Sequence, residues 1–127
     1  MSSPARTLIF VYGTLKRGCR NHHFLAGQMY LGEARTIPGF RLFDLGNYPG
    51  MIANSSATDQ VAGEVWSLDA DGLARLDRLE GTDEGLYRRE IVSLMPPFSE
   101  PDRIVQTYLY LRSVEGRAVI AGGVWRE

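Results

Sequence analysis

Two features of this 127-residue chain combine residue type and spacing in a way that permits chemistry. The first is Glu80. It lies seven positions after Leu73 and four after Leu76, on the apolar face of a helix pattern running from Asp69 to Leu79. Glutamate seldom points coreward without a partner. Burial disfavours its charged form, and the partial negative charge of a helix C-terminus acts in the same direction. Both raise its pKa above the ordinary value of about 4.3, towards the range useful for acid–base work near neutral pH. The competing reading is a last-turn glutamate paired with Arg88 or Arg89 on the following strand.

The second feature is Tyr12-Gly13-Thr14-Leu15-Lys16-Arg17-Gly18. Thr7 to Tyr12 is β-branched and aromatic and reads as a buried strand. A buried strand feeding a glycine-bounded turn presents successive backbone N–H groups to an oxygen ligand. An ordinary turn after a strand is the plain alternative. Gly13 and Gly18 have P-loop spacing, but Cys19 and Arg20 stand where that motif needs Lys and Ser or Thr. A nucleotide site is therefore not expected.

Other reactive side chains carry less. Cys19 with His22 and His23 has the residue types for a thiol nucleophile and base, but no acid is evident to orient a histidine. Adjacent helical histidines diverge by about 100° and do not grip one metal. The serines lack a Gly-x-Ser-x-Gly elbow. Glu64, alternating with Val65 and Trp66, reads as structural. Tyr87 and Tyr110 suit either a pocket wall or the core.

Composition narrows the classes. The length suits one domain over residues 1–127 with its own core. A single cysteine excludes an internal disulfide and a multi-cysteine metal site, and favours a reducing, cytoplasmic setting. Met1 to Arg6 is too short and polar for a signal peptide, and no apolar run reaches membrane-spanning length. A net charge of −1 gives no basis for nucleic-acid binding. Charge is uneven, however. Residues 1–35 carry Arg6, Lys16, Arg17, Arg20 and Arg35 against Glu33 alone, whereas residues 59–102 carry eleven acidic and four basic side chains. A cleft between such regions suits a ligand with an anionic and a cationic end; solvated surfaces give the same pattern.

The elements that must position these residues follow from periodicity and punctuation. A short helical turn is expected over Asn21 to Gly27. Strands are expected at Met29 to Thr36, Gly39 to Leu45, Met51 to Ala53, Val61 to Leu68, Tyr87 to Leu94 and Arg103 to Leu111. Asn47-Tyr48-Pro49-Gly50 and the proline-rich stretch Met95 to Asp102 read as loops. Asp69 or Asp71 can cap the helix, Asp71 and Arg75 suit an i,i+4 pair, and Gly81 ends it. The tail from Arg112 has no clear period, though Trp125 is expected to pack back onto the body. One main helix and about six or seven strands imply an α+β fold, its mixed or antiparallel sheet curled into a small β-barrel.

Tyr12-Gly13-Thr14-Leu15, Leu79-Glu80-Gly81 and Leu86-Tyr87-x-Arg89, in that order, resemble the γ-glutamylcyclotransferase-like superfamily, nearest its γ-glutamylamine cyclotransferase and AIG2-like branch. Tyr48-Pro49-Gly50, Gly63-Glu64-Val65-Trp66 and Tyr108-Leu109-Tyr110 extend the resemblance from about Leu8 to Leu111. Trp66 stands where a tyrosine is usual, and the extended tail of the animal amine-specific enzymes is missing. The resemblance implies that Tyr12, Gly13, Thr14 and Leu15 hold a γ-glutamyl head, with Tyr87 and Tyr110 as further binding candidates. It implies that Glu80 is the acid–base residue of a cofactor-independent, metal-free reaction in which the substrate's α-amine closes onto its γ-carbonyl, releasing 5-oxoproline and an amine. The expected partner is a small γ-glutamyl compound, with no nucleic acid or membrane, and the expected assembly a monomer or simple homodimer. A non-catalytic metabolite-binding domain would use the same turn without turnover. A structural protein would lock Glu80 in a salt bridge and fill the pocket.

Overall fold

The structure, a computed structural model, describes residues 5–127, so most of the Met1–Arg6 segment lies outside the described residues. Strand β1 (Thr7–Val11) is the centre of the fold. Its side chains alternate between two cores. Phe10 and Tyr12 face one, with Leu42, Met51, Val65, Val105 and Trp125; Ile9 and Val11 face the other, with Leu25, Trp66, Leu68, Leu76, Tyr87 and Tyr108. Burial on both faces explains why this strand reads as a continuous apolar run rather than an alternating one.

Around β1 lie β2 (Met29–Arg35), β5 (Ala62–Leu68), β6 (Tyr87–Ile91) and β7 (Val105–Tyr110), in the order β2-β5-β1-β7-β6. The β1–β7 pair is parallel, and the other pairings in this sheet are antiparallel. A second sheet has the order β4-β3-β8, from β3 (Phe40–Asp44), β4 (Pro49–Ala53) and β8 (Ala118–Val119). Strand β4 packs across β7 and covers one face of the main sheet.

The α+β class agrees with the sequence reading, but the barrel does not: the described residues form two open sheets and no closed one. The chain ends beyond the two edge strands do approach. Thr36 forms a single bridge with Leu94, flanked by bonds from Ile37 N–H to Ser93 O and from Met95 N–H to Arg35 O. Pro38-Gly39 on one side, and Pro96 and Pro97, which have no N–H, on the other stop that ladder from extending. The main sheet curls without closing.

Several expected boundaries shift, among them that of β7, which begins at Val105 rather than Arg103. Pro49 and Gly50, read as loop, open β4, where Pro is tolerated as the first strand residue. The tail from Arg112 contributes β8, too short to leave a periodic signal. Strand β6 ends at Ile91, short of the expected Leu94, with Val92 N–H making one further bond to Val105 O.

Helix α1 (Ala70–Leu79) begins at Asp69, whose side chain accepts the Gly72 N–H at 2.7 Å. Of the two candidate caps, Asp69 is the one used. Arg75 does not pair with Asp71; its guanidinium donates to the Phe24 carbonyl at 3.2 Å, tying the helix to the one-turn 3₁₀ helix at His22–Leu25. Leu76 is fully buried. Glu80 is the C-cap, and Gly81 takes a left-handed conformation at φ 65°, which an L side chain adopts only with strain.

Candidate functional site

Strand β1 delivers Tyr12 to the end of the sheet's central strand, and the chain then turns through Gly13, Thr14 and Leu15. Lys16 N–H donates to Gly13 O, and Asn21 N–H to Thr14 O, which folds the turn back on itself. Among the described residues, no protein acceptor takes the N–H groups of Gly13, Thr14 or Leu15. Such uncommitted N–H groups seek a partner, whether water or a ligand oxygen.

The turn is held from behind. Glu64, buried on β5, accepts from Arg17 N–H and Arg17 Nε, both at 3.1 Å, and from Trp66 Nε1 at 3.1 Å. The Arg17 guanidinium stacks 3.8 Å over the Tyr30 ring. Glu64 is therefore structural: it braces the turn against the sheet. His22 serves the same end, with Nδ1 3.1 Å from Leu15 O and its ring against Trp66.

The turn and the end of α1 line one cavity of about 230 Å³. Tyr12, Gly13, Thr14, Leu15, Glu80 and Tyr87 all contribute to its wall. Of the residues singled out from the sequence, Tyr110 does not: its ring lies against Tyr87, with centroids 5.3 Å apart, outside the lining. The turn and Glu80 converge because β1 runs beside β7, and β7 beside β6, the strand reached just after α1.

Glu80 is partly exposed to this cavity. Neither arginine offered as its partner reaches it: Arg88 pairs with Glu90, and Arg89 grips Asp77 through Nε at 2.9 Å and a second nitrogen at 3.2 Å. Asp77 also accepts from Tyr108 Oη at 2.7 Å. The nearest carboxylate on the helix is thus neutralised, and Glu80 is left without a countercharge. Burial of the carboxyl raises its pKa from 4.5 to about 7.

Three of the four tyrosine hydroxyls around the cavity, those of Tyr12, Tyr87 and Tyr108, are committed to the protein. Tyr12 Oη donates to Tyr108 O at 2.6 Å and accepts from Met51 N–H; Tyr87 Oη donates to Pro49 O at 2.7 Å. Burial pushes all three hydroxyl pKa values further up, so they remain neutral. They supply shape rather than proton transfer. Thr14 Oγ1 accepts from Asn21 Nδ2 at 3.0 Å.

Cys19 lies outside this cavity, and burial raises its thiol pKa, which favours the unreactive form. No group of three or more metal-ligating side chains occurs among the described residues. No helix among them is long and apolar enough to cross a membrane.

The sequence reading passed over Arg20, Asn47, Leu86 and Tyr108 as wall residues. Leu86 and Tyr108 carried a signal, since they stand in the motifs Leu86-Tyr87-x-Arg89 and Tyr108-Leu109-Tyr110. Arg20 and Asn47 are loop residues brought in by tertiary contact: the Arg20 guanidinium donates to Asn47 O, and its backbone N–H to Glu127 Oε1 at 2.8 Å.

Comparison with known proteins places these residues in context. The family described as gamma-glutamyl cyclotransferase, AIG2-like has a sequence model that matches residues 9–127. The gamma-glutamylcyclotransferase family protein ytfP of Citrobacter rodentium is 36% identical over 117 residues, covering 92% of this chain and 93% of its own. The solution structure of ytfP from Escherichia coli superposes with a TM-score of 0.69 at 35% identity, covering 94% of this chain and 96% of that one. The crystal structure of an AIG2-like protein from Mus musculus gives 0.69 at 29% identity, over 85% of this chain and 78% of that one.

Proposed function

Because this chain belongs to the gamma-glutamyl cyclotransferase, AIG2-like family, we propose that it is a cyclotransferase that converts a γ-glutamyl compound to 5-oxoproline and a free amine. The observation that carries this reading is the pairing of a desolvated carboxyl, Glu80, with the uncommitted N–H groups of Gly13 to Leu15 in one cavity.

The reaction asks little of a protein beyond that. The nucleophile and the electrophile belong to one substrate, so folding it into a near-attack geometry supplies most of the advantage. The α-ammonium gives a proton to Glu80, and the freed amine forms a C–N bond to the γ-carbonyl carbon. Charge then develops on the carbonyl oxygen, or rests on the α-carboxylate, where the N–H donors of the turn stabilise it. Breaking of the original C–N amide bond follows as Glu80 returns the proton to the leaving nitrogen. A second proton follows the same route, so two protons in all pass from the α-nitrogen to the released amine. A carboxyl with a pKa of about 7 is suited to both directions of transfer at neutral pH. No cofactor enters the scheme.

Incubation with a panel of γ-glutamyl compounds, scored for 5-oxoproline, tests the proposal directly; no release from any member would refute it. The pH profile gives a second test. Glu80 must be ionised to take the first proton, so kcat/KM is expected to rise with pH through about 7. An acid limb near pH 4 would mean that Glu80 is not the base. Activity is also expected to survive exhaustive chelation, and loss on chelation reversed by a divalent metal would contradict the scheme.

A non-catalytic binder of the same metabolites remains the second reading, favoured by the backbone character of the turn. It requires tight binding with no turnover, which the same panel distinguishes.

A further inference from the structure

The cavity carries one charged group that the γ-glutamyl head does not need. Among its wall residues, Glu80 is the single acidic side chain and Arg20 the single basic one. A γ-glutamyl head has one ammonium and one carboxylate. Glu80 faces the first, and the N–H groups of Gly13 to Leu15 can take the second. Arg20 is then left over, at the mouth of the cavity beside Asn47 and Tyr48.

Its guanidinium is held but not saturated. The terminal nitrogen Nη2 donates to Asn47 O, and Nε forms a half-exposed ion pair with Glu127 Oε2 at 3.4 Å. Among the described residues, Nη1 has no acceptor. The contact with Asn47 fixes the plane of the fork while leaving one edge available, and a guanidinium edge matches a carboxylate better than it matches an alkyl group or a neutral amine.

Resting on the cyclotransferase reading, we propose that Arg20 is a specificity-determining residue that recognises a carboxylate on the leaving part of the substrate. The preferred compounds are then γ-glutamyl amino acids, whose released amine bears its own carboxylate, rather than γ-glutamyl derivatives of simple amines. A leaving part with a carboxylate reaches from the scissile bond near Glu80 towards the mouth, where Arg20 stands; a simple amine leaves that guanidinium edge to water.

γ-Glutamylglycine and γ-glutamylmethylamine form a matched pair that differs only in this carboxylate. Binding of each is measured by calorimetry on Glu80→Gln protein, so that turnover does not consume the ligand. The Glu80→Gln protein is expected to bind γ-glutamylglycine about 10-fold more tightly, within the range of a charged hydrogen bond. The preference should shrink as salt is raised, because Arg20 is half exposed. Adding Arg20→Gln should bring the ratio to near 1, and Arg20→Lys, which keeps the charge but loses the fork, should restore only part of it. Equal affinity for the two ligands before Arg20 is changed overturns the proposal. So does an equal loss for both on Arg20→Gln, since Arg20 would then be holding the α-carboxylate. A carboxylate preference in binding without 5-oxoproline release by the unmodified protein would sustain the role of Arg20 while refuting the catalytic reading.

Discussion

Glu80→Gln is expected to reduce 5-oxoproline release by about 10²–10⁴, the usual contribution of one acid–base group, while the protein stays folded. Glutamine keeps the size of the side chain and its capacity to hydrogen-bond, but it cannot take and return a proton. Binding of 5-oxoproline or a γ-glutamyl compound should weaken far less, because the turn at Gly13 does much of the holding. Stability should move in the opposite direction from activity. The folded-state pKa of Glu80 is raised from 4.5 to about 7, so the folded protein prefers the protonated form. Below about pH 4.5 both folded and unfolded chains are protonated and the group costs nothing. As the pH rises, the unfolded chain ionises first, and the stabilisation is lost progressively until the folded group ionises near pH 7. Above that the full penalty applies, of order 1–3 kcal/mol. Glu80→Gln removes it, so the variant's melting temperature should match the parent near pH 4 and exceed it at pH 8. A Glu80 engaged in an arginine pair would give the reverse: a less stable variant at pH 8 with little specific loss of turnover. One mutant, read by melting temperature and by turnover at two pH values, separates these cases.

Gly13→Ala is expected to lower kcat/KM by about 10²-fold, through position rather than chemistry. A Cβ at Gly13 would lie 2.7 Å from Pro49 Cγ and 2.9 Å from Pro49 Cδ. The proline ring cannot swing aside as a long side chain would. The added methyl therefore forces the turn and the start of β4 apart. Pro49 O holds the Tyr87 hydroxyl, so the displacement reaches a third wall of the cavity. Overpacking of this kind costs about 1–3 kcal/mol of stability, which leaves a folded protein to assay. Gly18→Ala is the informative contrast. Gly18 has φ 84° and no atom within 4 Å of a new Cβ, so its cost is backbone strain alone, about 1–2 kcal/mol. Its melting temperature should fall with little change in kcat/KM. If Gly13→Ala and Gly18→Ala lose kcat/KM equally, the close approach of Gly13 to Pro49 has no part in shaping the site.

How much of this was legible beforehand depends on the range of the interaction concerned. Helix α1 was readable because a cap, an apolar stripe and a stopping glycine all lie within a dozen residues, where local propensity and periodicity act. The orientation of Glu80 towards the apolar side followed from the same helical period. Its freedom from Arg88 and Arg89 did not, because that depends on Glu90 taking Arg88 and on Asp77 and Gln106 taking Arg89. Asp71 and Arg75 show the same limit on a smaller scale: the spacing favours a pair worth a few tenths of a kcal/mol, and one carbonyl from a distant segment displaces it.

Sheet closure was the largest departure. Strand-forming residues declare where strands can occur, but whether two edges meet is decided by twist, by register and by where proline interrupts the donors. Here the Thr36–Leu94 bridge and the two backbone hydrogen bonds that flank it form before prolines end the ladder on either side. Tyr110 departed from the pocket for a related reason: it lies on β7, but the cavity is lined by Tyr108, and Tyr110 turns to pack on Tyr87.

By itself the amino-acid sequence determined the α+β class, the helix and its cap region, the doubly buried character of β1, and the two segments able to do chemistry. These are properties of period, side-chain volume and backbone freedom over a few residues. Only the tertiary structure decided that Tyr12 to Leu15 and Glu80 share a cavity, that Arg20 joins them, that Glu64 braces instead of reacts, and that Glu80 lacks a countercharge. Those outcomes depend on which strands lie side by side and on which partners reach a charge first. Such long-range competition leaves no periodic trace along the chain.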